Sequence, residues 1–191
     1  SGINMNFLDK YDNIKNIRFN SFEKTLKLSF ERGLKTIVET GTARGKTKFF
    51  FIKKYNWKDG MSTPMFAEYA KFIKGKLHTC DISAKNVDNA RKFTSGFSDY
   101  IKFYIQDSLI FLREFSVPID LLYLDSLDGH DPIAASNHQL KEAQIAIKKL
   151  HDKSLILLDD KGSKTNLSIK FFKENNFRII YETKHQVLLS K

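Results

Sequence analysis

Five stretches of this chain that read as strands each end at an acid. Glu39 closes Thr36-Ile37-Val38, Asp81 closes Lys76 to Cys80, and Asp107 follows Tyr100 to Ile105 after one Gln. Asp125 closes Ile119 to Leu124, and Asp159 with Asp160 closes Ser154 to Leu158. A carboxylate accepts two hydrogen bonds at once or ligates a hard cation, so a row of them can hold hydroxyls, amines or a metal ion. One acid in such a place can be a helix cap and nothing more, whereas acids at successive strand ends mark a site. Behind Glu39 the chain reads Thr40-Gly41-Thr42-Ala43-Arg44-Gly45-Lys46-Thr47, a glycine turn expected to run straight into a helix. A helix starting there would aim unpaired amides above the strand, which suits an anionic or carboxylate-bearing ligand. A triphosphate-cradling loop needs four residues between its first Gly and the Gly-Lys-Thr, and Gly41 to Gly45 encloses one too few.

A second concentration of chemistry lies further along. Asp125, Asp128, Asp131, Asp159 and Asp160 are expected to crowd one edge, and carboxylates held that close raise one another's pKa unless a positive charge sits among them. Mg²⁺ would serve, since it takes hard oxygen ligands and leaves positions for substrate oxygens. His130 or Asp128 could accept a proton there. The plainer reading has Asp128 and Asp131 in water and Asp159 capping the next helix.

The elements that must position these residues follow from periodicity. Asn20-Ser21-Phe22-Glu23 reads as a helix start, with Phe22, Leu26, Ser29 and Phe30 at helical spacing and Gly33 as the stop. Lys46 to Tyr55 is expected as a helix, and 56–75 as an insertion carrying an extra short helix over the site, either a lid or a surface elaboration. Thereafter strands (Lys76–Asp81, Tyr100–Ile105, Ile119–Leu124, Ser154–Leu158) alternate with helices (Ala84–Phe93, Leu109–Phe115, Ala134–Leu150). Phe177–Thr183 and His185–Ser190 lie too close for a crossover and should pair antiparallel. His138 and His151 are expected on helix surfaces. The pattern predicts a doubly wound, Rossmann-like α/β sheet, mostly parallel with a C-terminal antiparallel hairpin. An N-terminal helical segment (1–33) should pack on a core domain (34–191).

With 191 residues and a single Cys, the chain can bury a core without disulfides, which fits a reducing, cytoplasmic setting. No apolar run is long enough to span a bilayer, so no membrane partner is expected. The net charge of +10 would permit nucleic-acid binding, but the lysines are dispersed and make no footprint; a nucleic-acid partner is not expected.

Taken together, the order and content of these segments resemble class I S-adenosylmethionine-dependent methyltransferases over nearly all of 34–190. Glu39, Gly41 and Gly45 are similar to that family's acid-x-Gly-x-x-x-Gly turn, with Ala43 where many members carry a third Gly. The resemblance implies that Glu39, Thr40, Gly41, Thr42 and Gly45 face the methionine end of the cofactor. It further implies that Asp81, with Ile82 beside it, grips the ribose hydroxyls and that Asp107 and Ser108 lie by the adenine. The runs LLYLDSLDGHD (121–131) and LILLDDKGS (155–163) are similar to metal-dependent O-methyltransferases of the catechol and macrocin type. That likeness implies Mg²⁺ on Asp125, Asp159 and Asp160, with Asp125 also at the cofactor and in catalysis, and a small-molecule, sugar-like hydroxyl as acceptor. Asp128 stands where the catechol enzymes carry a Lys, so catechol chemistry is not implied.

Three other readings stay open. A nucleic-acid base methyltransferase would suit the basic charge, but Asp125-Ser126-Leu127-Asp128 lacks the Pro-Pro-aromatic run common in amino-group methyltransferases. A non-catalytic cofactor-binding module would tolerate Ala43. The P-loop NTPase comes third.

Overall fold

A computed structural model describes residues 4–43, 46–49, 52–55, 61–127 and 131–191, the strands 46–49 and 52–55 as backbone only. The parallel strands are β1 (Thr36–Thr40), β4 (Lys76–Asp81), β5 (Ile101–Ile105), β6 (Ile119–Leu124) and β7 (Leu150–Asp159), completed by the hairpin β8 (Arg178–Glu182) and β9 (Gln186–Ser190). They form one seven-stranded sheet in the order β5-β4-β1-β6-β7-β9-β8, with β9 antiparallel to both β7 and β8. The order reverses at β1, so chain entering on one side of Glu39 leaves on the other. In an open α/β sheet the crevice above that switch point takes the ligand.

Both faces of the sheet are covered because its strands are apolar on both sides. Ile37, Leu121, Tyr123, Leu155, Leu157 and Leu188 point into one core; Val38, Leu122, Leu124, Ile156, Leu158 and Leu189 point into the other, following the period of two of a pleated strand. The first core is roofed by α1 (Phe19–Glu31) and α2 (Ser62–Ile73), the second by α4 (Ser108–Glu114), α5 (Pro132–Ala146) and α6 (Asn166–Glu174). Helix α3 (Ala84–Phe93) crosses from β4 to β5 and lies beside α2.

Helix α1 buries Phe19, Phe22, Leu26 and Ser29 on one stripe, with Phe22 edge-on to Phe66 and Tyr123. Full burial of side chains such as Phe22 and Leu26 is worth about 1.5–3 kcal/mol each. Thr25 and Ser29, also on that stripe, donate their hydroxyls to the carbonyls of Ser21 and Thr25, which removes the cost of burying them. Tyr11 and Lys10 bind the Glu68 carboxylate of α2 at 2.6 and 2.5 Å and tie the N-terminal segment to the same roof.

Two expectations are corrected here. Lys46–Tyr55 is not a helix: β2 (Lys46–Phe49) and β3 (Ile52–Tyr55) form a separate antiparallel pair. Thr47, Phe49, Ile52 and Tyr55 are β-branched or aromatic, types that favour extended chain. Among the described residues no helix starts directly behind Gly41. The β1-to-β4 crossover is made instead by 62–73, expected within an insertion; this is α2, and Ser62 through Ala70 are buried under the sheet. No helix among the described residues is long and apolar enough to cross a membrane.

Candidate functional site

The strand ends that carry acids do converge on one edge. A cavity of about 350 Å³ is lined by Gly41, Thr42, Asp81, Ile82, Asp125, Asp159 and Asp160 among others, which is the size that small-ligand clefts occupy. A narrower recess adjoins it, sharing Gly41, Asp81, Ile82, Ser126 and Leu127 and adding Asp107, Ser108 and His138.

The turn after β1 works by close approach of backbone and not by helix amides. Gly41 has φ of 85°, and a Cβ there would lie 1.9 Å from the Asp125 carbonyl oxygen, so only Gly lets β1 and β6 end side by side. Its amide donates to the Cys80 carbonyl at 2.8 Å, and the Ala43 amide to the Thr63 hydroxyl at 2.7 Å. These donors are spent inside the protein. Gly45 lies outside the described residues, as do Asp128 and His130.

Glu39 does not line the cavity. It is fully buried and accepts from Ser62 (2.5 Å), Thr63 (2.6 Å) and Thr79 (2.7 Å), with Thr42 bonded in turn to Thr79 at 2.8 Å. Burial pushes its pKa up to about 7, against the pull of the three hydroxyls. This carboxyl pins β1 to the first turn of α2, where the helix end favours negative charge.

On the β4 and β5 side the acids are held by local donors. Asp81 accepts from the Ser83 amide at 2.8 Å and from Asn86 Nδ2 at 3.4 Å, and Ile82 beside it is 76% exposed, an apolar face turned into the cavity. Asp107 caps α4 through the Leu109 amide at 2.8 Å. Ser108 meets His138 Nε2 at 2.8 Å, and that ring stands 3.9 Å from the buried Glu142, whose pKa burial raises. His138 is thus not a surface residue but part of the floor of the recess. His151, the other histidine assigned to a surface, binds Asp120 at 2.7 Å at the opposite end of the sheet. Thr40 is buried and contributes to the edge through the backbone, its carbonyl accepting the Asp125 amide at 3.0 Å.

On the β6 and β7 side the acids are held by cations. Asp125, Asp159 and Asp160 offer ligand atoms within 4.8 Å of one another, the cluster expected for a metal ion. Arg18, the residue before α1, donates Nε to Asp159 at 2.6 Å and Nη2 to Asp160 at 3.1 Å. Lys164 Nζ contacts Asp125 at 3.0 Å, Asp160 at 3.4 Å and the Leu127 carbonyl at 2.7 Å. Gln186 adds a bond to Asp159 at 2.9 Å and is itself held by Ser21. Burial and then Asp159 push the Asp125 pKa well up, against the pull of Lys164. Burial works to discharge Lys164, yet Asp125, Asp160 and Asp159 outweigh it and its pKa is raised. Asp160 takes a left-handed backbone at φ of 59°, uncommon for a non-glycine residue and typical of a constrained site.

Those ion pairs decide how well the donor set suits a divalent ion. Mg²⁺ demands near-octahedral oxygens at about 2.0–2.1 Å and keeps several waters. Here the carboxylates already hold two cations, so a divalent ion could enter only by displacing the Lys164 ammonium or the Arg18 guanidinium and leaving that buried charge without its partners. As they stand, the residues present do not fit a divalent cation.

Arg18 and Lys164 are not among the site residues expected from the sequence, and a signal for them is available only in part. For Lys164 one exists, its spacing four beyond Asp160 on a tight turn; for Arg18, 141 residues from Asp159, none does.

The sequence profile of a methyltransferase domain matches residues 38–161. No curated protein matches the sequence. Among solved structures, the fold is similar to the O-methyltransferase of Bacillus cereus in complex with SAH (S-adenosylhomocysteine), with 15% identity, TM-score 0.58 and coverage of 100% of this chain and 93% of that one. It is similar to an SAH-bound methyltransferase of Podospora anserina, with 13% identity, TM-score 0.61 and coverage of 100% and 89%. An rRNA methylase of Streptococcus thermophilus is similar as well, at 10% identity, TM-score 0.62 and coverage of 89% and 95%.

Proposed function

We propose that the methyl acceptor of this chain, which belongs to the methyltransferase domain family and is an S-adenosylmethionine-dependent methyltransferase, is a hydroxyl of a small molecule. The observation that carries this reading is Asp125. Its side chain is 26% exposed, it lines the cavity, and it is flanked by Lys164 on one oxygen. A carboxylate in that place can align an acceptor hydroxyl and receive its proton. Among the described residues the cavity lining carries Asp81, Asp125, Asp159 and Asp160 against Arg18 alone, an excess of acid that disfavours a phosphodiester backbone despite the basic chain as a whole.

In this reading the cofactor lies along the β1, β4 and β5 ends. Asp81 accepts the ribose hydroxyls, Ile82 packs on the adenine, and Asp107 with Ser108 and His138 closes the recess. Thr42 and the backbone at Gly41 border the methionine end, while Glu39 and Thr40 act from beneath by fixing that turn. Bound S-adenosylmethionine supplies a methyl group on a sulfonium, electrophilic without further activation. The chain's own work is to hold the acceptor oxygen in line and to exclude water. As the oxygen–methyl bond forms and the sulfur–methyl bond breaks, the hydroxyl proton passes to a carboxylate or imidazole at the edge. Asp125 is the proposed acceptor of that proton, with Asp128 and His130, which follow it closely in sequence, as the other candidates. The Mg²⁺ expected from the sequence has no step in this scheme, because its candidate ligands are ion-paired within the chain.

Calorimetry with SAH and ATP, followed by transfer of labelled methyl to a panel of hydroxylated small molecules and to RNA, tests the proposal. SAH should bind, ATP should not, and label should appear on a hydroxyl compound. Label on RNA alone would replace this acceptor with a nucleic acid.

A further inference from the structure

We propose that Lys164 is the resident cation of the carboxylate cluster at the ends of β6 and β7, so that this site excludes a divalent ion and methyl transfer proceeds without one. The inference rests on the methyltransferase reading above only for its last clause. Its first clause concerns the cluster itself.

The ammonium is built in. Lys164 is among the largest fully buried side chains of the protein, its side chain 2% exposed, which is rare for lysine and requires paired charge. An ammonium has three hydrogens and no lone pair, and Nζ faces three acceptors: Asp125, Asp160 and the Leu127 carbonyl. Its backbone is fixed as well, since the Lys164 amide donates to the Asp160 carbonyl at 3.2 Å and Thr165 accepts the Gly162 amide at 3.3 Å across the same turn. Asp160 adopts its left-handed backbone to begin that turn. A lysine that merely drifted toward nearby acids would show none of this.

Charge leads to the same conclusion. Three carboxylates, Arg18 and Lys164 leave the cluster one negative charge, which a dication would overcompensate. Entry of the ion would have to displace Nζ, and Nζ is also what holds the Leu127 loop. Lys164 is therefore a positioning residue: it sets the Asp125 carboxylate and the loop that follows β6.

The test uses the full chain after chelation, titrated with Mn²⁺ alone and followed by electron paramagnetic resonance. The wild type should leave the signal of the free ion intact, with a dissociation constant above about 1 mM. Lys164→Met, which keeps the packing and removes the charge, should bind one Mn²⁺ about tenfold more tightly or better. Binding by the wild type below that threshold, abolished by Asp159→Asn, would overturn the proposal; binding that survives Asp159→Asn lies elsewhere and agrees with it. Equal weak binding by wild type and Lys164→Met would also overturn it, since the lysine would then not be what excludes the ion. If circular dichroism shows Lys164→Met unfolded, the wild-type titration and its Asp159→Asn control decide alone. Methyl transfer by the wild type should be unchanged in chelator, and a loss restored by Mg²⁺ would refute the proposal. Failure of SAH to bind would count against the methyltransferase reading and leave the Mn²⁺ result standing.

Discussion

The two halves of the ligand edge use the same residue in opposite ways. At the ends of β4 and β5, Asp81 and Asp107 are held by amides within a few residues of themselves and stand open to the cavity. At the ends of β6 and β7, Asp125, Asp159 and Asp160 are held by Arg18 and Lys164, and Asp159 is only 5% exposed. Where donors are local, the carboxylate is free to serve a ligand and its loss costs binding. Where a cation is the donor, the carboxylate is tied to it, and at Asp159, bound by Arg18 from 141 residues away, its loss costs folding.

The severest way to break this contrast is Arg18→Ala. It would leave Asp159 buried without its partner, and removing one member of a buried pair costs about 3–5 kcal/mol. Urea denaturation should show a loss of that order, and a change under about 1 kcal/mol would place the β6 and β7 acids in the same class as Asp81.

Glu39 lies at the seam between the halves and should reveal itself through pH. Its folded pKa, pushed up to about 7 by burial, exceeds the ordinary carboxyl value, so the folded protein holds a proton that the unfolded chain has released. Stability from this group is fully present below about pH 4.5 and is lost as pH rises to about 7, by roughly 3 kcal/mol. Glu39→Gln should flatten that slope in denaturation series run across the window. A slope of the same size in the variant would assign the effect to another group.

Asp81→Ala sharpens the other side of the comparison. SAH affinity should fall by about 2 kcal/mol, roughly thirtyfold, with stability near wild type. Calorimetry and thermal melting on the same preparation read the two separately, and a large drop in melting temperature without SAH would remove the distinction between the halves.

The mildest effect belongs to Asp107→Ala. Loss of a helix cap should cost about 1 kcal/mol of stability, whereas Asp107→Asn should be close to neutral because Asn caps equally well. If Asn destabilises as much as Ala, the charge and not the cap is what the recess uses.

Much of this architecture was legible in the chain. Ile119–Leu124 is a largely apolar strand that stops at Asp125, Lys76–Asp81 ends on its own acid, and the short gap between the last two strands required a hairpin. Acids at strand ends then had to share an edge, because parallel strands point the same way. The stretch 46–55 misled because a run of Phe flanked by Lys satisfies both a buried helix and alternating strands, and period alone does not separate them. Burial of the whole of Ser62–Ala70 was equally hidden, since Ser62, Thr63 and Glu68 read as polar until Glu39 and the N-terminal segment supply their partners.

Local pattern determined the strands of the main sheet and the row of carboxylates, because each depends on neighbours within a few residues. Tertiary structure alone decided what each carboxylate faces. Arg18 reaches Asp159 across 141 residues of sequence, and Glu39 meets hydroxyls from α2 and β4 instead of the cavity. The energy of a charge is set by burial and by the charges beside it in space, and neither is written in its position along the chain.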